Sequence, residues 1–293
     1  MKIGILAWIT PKSPDAATVA RKCEALGFES FFLPEHPIIP VHCKTPYPIG
    51  DGKIPELYTR MVDPFIGLAF AAAATKRIKL GTGVCLVPEH EPITLAKEIA
   101  TLDLFCGGRF IFGIGAGWLI DESEIMGVDF RRRWAVTREY IRAMKELWTK
   151  PEASFEGEFV KFPPVLSYPK PAQKPHPPIH IGAGGLGPVE RALKNTVAIA
   201  DGWAPLRMPP DRLAAELAKL KKMCAEANRI SPKWKSPSIS RPSMVTRSRS
   251  SPSIAKPDAI DWCSMHPTSR RESRKRRWSN WPGSSASAAE SNG

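Results

Sequence analysis

No apolar stretch in these 293 residues approaches the roughly 18 that a membrane-spanning helix needs. The longest, residues 64–74, stops at Thr75-Lys76-Arg77, and the short apolar run after Lys2 is not expected to be a signal peptide. Paired cysteines are missing too. The six cysteines show no C-x-x-C and no regular spacing, which excludes a disulfide framework and predicts a reducing, cytoplasmic setting. There is no phosphate-loop lysine motif, no nucleophile elbow and no zinc pattern built on cysteine pairs. His176-Pro-Pro-Ile-His180 has metal-like spacing, but its prolines forbid the helical face that would align the two rings, so no metal site is expected.

Leucine and phenylalanine are absent from the last 63 residues, which carry 17 serines. That segment also holds 12 Lys and Arg against 4 Asp and Glu, a net +8 out of +13 for the whole chain. The basicity therefore belongs to the tail, and nucleic acid is an unlikely partner for the body. The length of 293 residues fits one large α/β domain or two ordinary ones, and 43% apolar content is that of a globular protein.

What is present is alternation. Residues 2–9 form a near-continuous apolar run, as in a strand buried on both faces. Ser13 offers an N-cap before Pro14, and Ala16, Val19, Ala20, Cys23 and Leu26 form a helical stripe closed by Gly27. Further strands are predicted at 30–33, 78–84, 110–114, 179–181 and 202–204, with helices over 65–75, from Pro92, over 133–149, from Pro188 and over 211–228. A loop rich in Pro and Gly spans 36–63, and residues 155–162 alternate like a hairpin. Six β/α units in order imply a parallel sheet, doubly wound or closed as a barrel.

At Ser231 the rhythm stops. One reading of 231–293 is a basic disordered tail. Another is a change of reading frame near residue 230. Codons compatible with residues 233–241, 255–267 and 272–284, read one frame over, spell a strand, a strand and an amphipathic helix. Two more strands would bring the total to the eight of a (β/α)8 barrel. The expectation is a barrel domain over 1–230 whose last two strands are lost to an out-of-frame tail over 231–293.

In such a barrel the chemistry sits at the C-terminal ends of the strands. Those ends carry Ala7-Trp8, Pro34-Glu35-His36, Gly83-Val84-Cys85, Gly113-Ile-Gly-Ala-Gly117-Trp118 and Gly182-Ala183-Gly184-Gly185-Leu-Gly187. The last matches G-x-G-x-x-G after a strand and before a helix, where backbone N–H groups can approach an anion such as a cofactor phosphate. The glycines at the third and fourth ends are expected to leave room for a flat ring, with Trp118 stacking on it or simply packing. A histidine beside a carboxylate, as at Glu35-His36, can shuttle protons near neutral pH.

Phe31-Phe-Leu-Pro-Glu-His-Pro-Ile-Ile-Pro40, Lys79-Leu-Gly-Thr-Gly-Val84 and Gly108-Arg-Phe-Ile-Phe-Gly-Ile-Gly-Ala-Gly-Trp118 together resemble the bacterial luciferase-like superfamily. Glu124-Ile-Met-Gly-Val-Asp-Phe130, Pro177-Pro-Ile-His-Ile-Gly182 and Ala200-Asp-Gly-Trp203 agree, in family order. More narrowly the chain is similar to the branch of F420-dependent oxidoreductases, over roughly residues 1–228. The resemblance implies a barrel binding a deazaflavin (F420) or FMN at its mouth. It places cofactor contacts at Ala7, Gly83, Val84, Gly117, Trp118, Gly182, Ala183, Gly184 and Gly185, and catalytic groups at Glu35 and His36. It also implies a bulged third strand end at Gly83-Val84, where relatives often hold a non-proline cis peptide. Some F420 enzymes carry a catalytic Glu where this chain has Trp118. The implied activity is hydride transfer between F420 and a small organic substrate, with an FMN-dependent monooxygenase as the alternative. Partners beyond substrate would be a second copy of the chain. A non-catalytic flavin-binding barrel and a nucleic-acid-binding protein acting through its tail are the readings from other classes.

Overall fold

In the computed structural model each of the six predicted strands forms, with largely buried strand residues and a helix following it in the chain. The structure describes residues 3–183, 188–206 and 208–229, and the backbone alone of 238–240. In order they are β1 (Ile3–Leu6), α1 (Ala16–Ala25), β2 (Ser30–Leu33), α2 (Pro64–Ala74), β3 (Lys79–Thr82), β4 (Cys85–Leu86), α3 (Pro92–Phe105), β5 (Phe110–Gly115), α4 (Ile120–Ile125) and α5 (Arg133–Thr149). A hairpin, β6 (Glu152–Glu156) and β7 (Lys161–Leu166), precedes β8 (Ile179–Ile181), α6 (Val189–Ile199), β9 (Gly202–Trp203), α7 (Pro210–Glu226) and β10 (Ser238–Ser240). No helix among the described residues is long and apolar enough to cross a membrane.

The main sheet is parallel throughout, in the order β10-β1-β2-β3-β5-β8-β9, with β4 added alongside β5. β10 lies past residue 230, where the sequence predicted no in-frame strand, and pairs with β1 through Ile3↔Ser238 and Ile5↔Ser240. The rest of the predicted tail lies outside the described residues. Helices pack on the outside of the sheet, burying Leu68, Leu95, Ile99, Ile141, Met144 and Leu193 against it. Leu6, Phe32 and Ile111, with Trp8 half-buried beside them, form a separate apolar cluster.

Caps differ from expectation at one place. Asp15, not Ser13, caps α1, its carboxylate accepting from Thr18 N at 2.9 Å and Thr18 Oγ1 at 2.9 Å. Aspartate three residues before a threonine satisfies two donors at once, whereas Ser13 is used in a turn with Thr10. Asp63 and Glu91 cap α2 and α3, each followed by proline at the first helical position.

Irregular segments are held by carboxylates reaching across the fold. Glu24 on α1 accepts from the backbone N–H groups of Lys76, Arg77 and Ile78, at 2.6 Å from Arg77. Asp103 on α3, fully buried, takes Gln173 N at 2.9 Å and Gln173 Nε2 at 2.7 Å, anchoring the proline-rich connector. Glu139 on α5 takes Phe159 N and Val160 N at the hairpin turn. Burial alone would raise the Glu24 and Glu139 carboxyls, yet these N–H donors outweigh it and hold both below the usual range.

The glycines near the strand ends are explained by close packing of protein on protein. A Cβ on Gly113 would collide with the Thr82 carbonyl oxygen, and one on Gly115 would lie 2.7 Å from Val84 Cγ2. A Cβ on Gly182 would collide with Val84 Cγ1. At Gly113 and Gly115, where open clearance is expected, Thr82 and Val84 lie close instead. Thr82 Oγ1 also donates to Gly113 O at 2.6 Å, locking β3 to β5. Gly113→Ala is expected to cost about 3 kcal/mol or more, read as a drop in the midpoint of urea unfolding with unchanged slope.

Candidate active site

Pro34 ends β2, and the next two side chains diverge. Glu35 turns beneath β4 and is 5% exposed. Its Oε2 accepts from Leu86 N at 2.6 Å and its Oε1 lies 3.0 Å from His90 Nε2. Cys85 completes a group in which the polar atoms of Glu35, Cys85 and His90 lie within 4.8 Å of one another. Because Glu35 uses both oxygens on Leu86 and His90, this group acts as hydrogen-bonded support for β4. Burial, with Glu35 beside it, pushes the Cys85 thiol far up, so it stays protonated.

His36 turns the other way. Its Nδ1 lies 2.6 Å from Glu122 Oε2 on α4, and its Nε2 accepts from Trp118 Nε1 at 3.2 Å. Indole N–H can only donate, so His36 Nε2 is the acceptor and the ring proton sits on Nδ1, donated to Glu122. Glu122 is fully buried and takes Ile38 N on its other oxygen. The predicted residues His36 and Trp118 thus meet directly, and His36 is held from its other nitrogen by Glu122, a residue that no sequence motif singles out.

Above them lies the 36–63 loop. Tyr47 and Tyr58 join His36 and Trp118 in a closed ring of aromatic contacts with centroid separations of 5.3–5.7 Å. The two phenol oxygens are 3.0 Å apart. Asp121 fastens this loop, accepting from Lys44 N at 2.9 Å, Thr45 N at 3.0 Å and Thr45 Oγ1 at 2.6 Å. Those donors, Lys44 N first, hold the Asp121 carboxyl down at about 2. α4 therefore presents two consecutive acids, one to the loop and one to the histidine.

The other predicted positions sort as follows. The Gly83–Val84 peptide is cis. Val84 lies against Gly115 and Gly182, bringing two predicted cofactor positions into contact across β5 and β8. Ala7 is buried at the end of β1, its N–H bonded to Phe32 O at 3.0 Å. Ala183 O accepts from Trp203 Nε1 at 2.6 Å. Gly117 has φ of 80°, a conformation that favours glycine, and a Cβ there would lie 3.2 Å from Glu89 Oε1. Gly184 and Gly185, the predicted phosphate loop, lie outside the described residues. His176 and His180 do not converge: His176 Nδ1 faces Pro177 O, while His180 packs on Gly202 and burial pushes it down to about 4.

Residues 2–274 match the family model described as luciferase-like monooxygenase. An uncharacterised protein of Mycobacterium tuberculosis is 44% identical over 205 residues, 69% of this chain and 71% of the relative. An F420-dependent glucose-6-phosphate dehydrogenase of Kineococcus radiotolerans is 33% identical over 193 residues, covering 64% and 52% of the two chains. The oxygenating constituent of 3,6-diketocamphane monooxygenase from Pseudomonas putida, solved with FMN, shares the fold with a TM-score of 0.60 at 19% identity, over 78% of this chain and 64% of that one. Parallel β/α order and the matched residues agree: the chain belongs to the luciferase-like monooxygenase family, whose members include F420-dependent and flavin-dependent enzymes.

Proposed function

We propose that this chain is an oxidoreductase that moves a hydride between coenzyme F420 and a small organic molecule. The observation that carries the reading is His36, fixed as the Nδ1–H tautomer by Glu122, with one basic nitrogen directed at the Trp118 indole. At 3.2 Å the indole bond to Nε2 is long enough for a substrate hydroxyl to replace or share it. Bound at the mouth, the deazaflavin supplies a ring carbon that exchanges hydride. As hydride leaves an alcohol carbon, the hydroxyl proton goes to His36 Nε2, and the reverse direction returns it to a carbonyl oxygen. Glu122 stabilises the imidazolium that this creates.

The residues at hand suit a flat cofactor of this kind. Leu6, Phe32, Ile111 and Trp8 supply apolar surface within the strands, Val84 props the third strand end, and the Gly182-Ala183 backbone leads toward α6, where a phosphate would rest. Tyr47, Tyr58 and Trp118 would enclose the substrate side and exclude water.

Titration with F420 is expected to give a Kd below about 100 μM, or about −5.5 kcal/mol, by fluorescence of the deazaflavin. Tighter binding of FMN would favour the monooxygenase, and failure of both would overturn the reading. The same titration on a version with the reading frame restored near codon 230 should show higher soluble yield and affinity. Equal behaviour of the two versions would make the tail a true part of the protein. A second expectation concerns His36. His36→Ala leaves buried Glu122 without its main donor and should cost about 2–4 kcal/mol, whereas His36→Asn, whose amide can still donate to Glu122, should cost less than about 1 kcal/mol. Chemical denaturation of both variants checks this.

A further inference from the structure

Five titratable side chains crowd together at one side of the mouth: Glu35, His36, Glu89, His90 and Glu122. The three carboxyl residues are only 5%, 7% and 0% exposed, for Glu35, Glu89 and Glu122. Two of them are matched in the same way, each by one histidine and one backbone N–H. Glu35 has His90 and Leu86 N, and Glu122 has His36 and Ile38 N. Glu89, in the short 3-10 turn Val87–Glu89, has neither. Its Oε1 accepts from Ser123 Oγ at 2.9 Å, and its Oε2 is buried with no partner among the described residues. The neighbouring His90 is already committed to Glu35. A third negative charge at this place would be desolvated, unpaired and repelled by two carboxylates.

We propose that Glu89 stands as a neutral carboxylic acid, its proton on Oε2, and that it is a positioning residue for His36. Its carbonyl oxygen Oε1 takes the Ser123 hydroxyl and so fixes the turn of α4 that also carries Glu122. By remaining uncharged it leaves Glu122 as the carboxylate that holds the His36 tautomer. Beyond Glu122, Glu35 and His90, the groups acting on this cluster are Glu98 on α3 and Asp63 before α2, which bear on His90 and Glu35. Burial first, then Glu122, push the Glu89 carboxyl up to about 8, against the Ser123 bond that pulls it down. The acid is thus neutral at physiological pH by a narrow margin, and the assignment holds whichever cofactor the enzyme uses.

Infrared spectroscopy of the full chain near neutral pH should show the C=O stretch of a protonated carboxylic acid that Glu89→Gln removes. In the unsubstituted protein that band should vanish as pH rises through about 8. Stability gives a second readout with a definite sign. A carboxyl raised on folding contributes stability that is fully present below its unfolded value and lost as pH rises through its folded value. Between about pH 5 and about pH 9, therefore, Glu89→Gln should gain melting temperature relative to the unsubstituted chain. Absence of an acid band near neutral pH, a band indifferent to Glu89→Gln, or a variant that loses ground with rising pH would each overturn the proposal. If Glu89→Gln fails to fold, the pH titration of the band in the unsubstituted protein decides, and Ser123→Ala should shift its frequency by removing the donor to Oε1.

Discussion

A carboxylate that accepts backbone N–H groups from a distant segment is the joint on which this fold turns. β/α barrels place their strands and helices by apolar burial, but the loops between them leave N–H donors without ladder partners, and such donors are costly to strand. Glu24, Asp103 and Glu139 each meet that need across 20 to 70 residues of sequence. Glu35 and Asp121 do the same for β4 and for the 36–63 loop. Asp121, half-exposed and with three donors, is held low, whereas burial and the neighbouring Glu122 carry Glu89 up against its single hydroxyl donor. The donors secure the loops, and burial together with neighbouring charge decides how far these two carboxyls depart from the usual range.

The elements were largely legible in the sequence. Most predicted strands were short apolar runs next to glycine or proline, the helix predicted over 65–75 was a longer apolar run, and the helix over 133–149 carried enough periodicity to define its buried side. α4 was not legible: six residues, four of them polar or charged, carry no periodic signal. That is why Glu122 and Asp121 escaped notice although they organise the site. Their partners are about 75 to 86 residues earlier in the chain, and a lone carboxylate does not announce a pairing of that range.

Strand-end glycines were legible as features and misread in purpose. The pattern Gly113 and Gly115 invites an empty shelf, whereas the Thr82 backbone and the Val84 side chain lie against it. The distinction matters for how the mouth is built. A shelf of protein side chains is rigid before any small molecule arrives, so the surface that would support a planar ring is formed by folding itself.

Asp121 and Glu122 are consecutive, yet they serve different masters: one grips the loop at Lys44 and Thr45, the other grips His36. This adjacency divides the loop into a clasped part and a part beyond the clasp. Changes between residues 48 and 57 leave the hydrogen bonds from Lys44 and Thr45 to Asp121 in place. A change at Thr45, by contrast, loosens the first turn of α4 and is felt at His36 through Glu122, the next residue of that helix. The anchor of the loop and the partner of the histidine are thus neighbours on one short helix, so a disturbance of either is felt at the other.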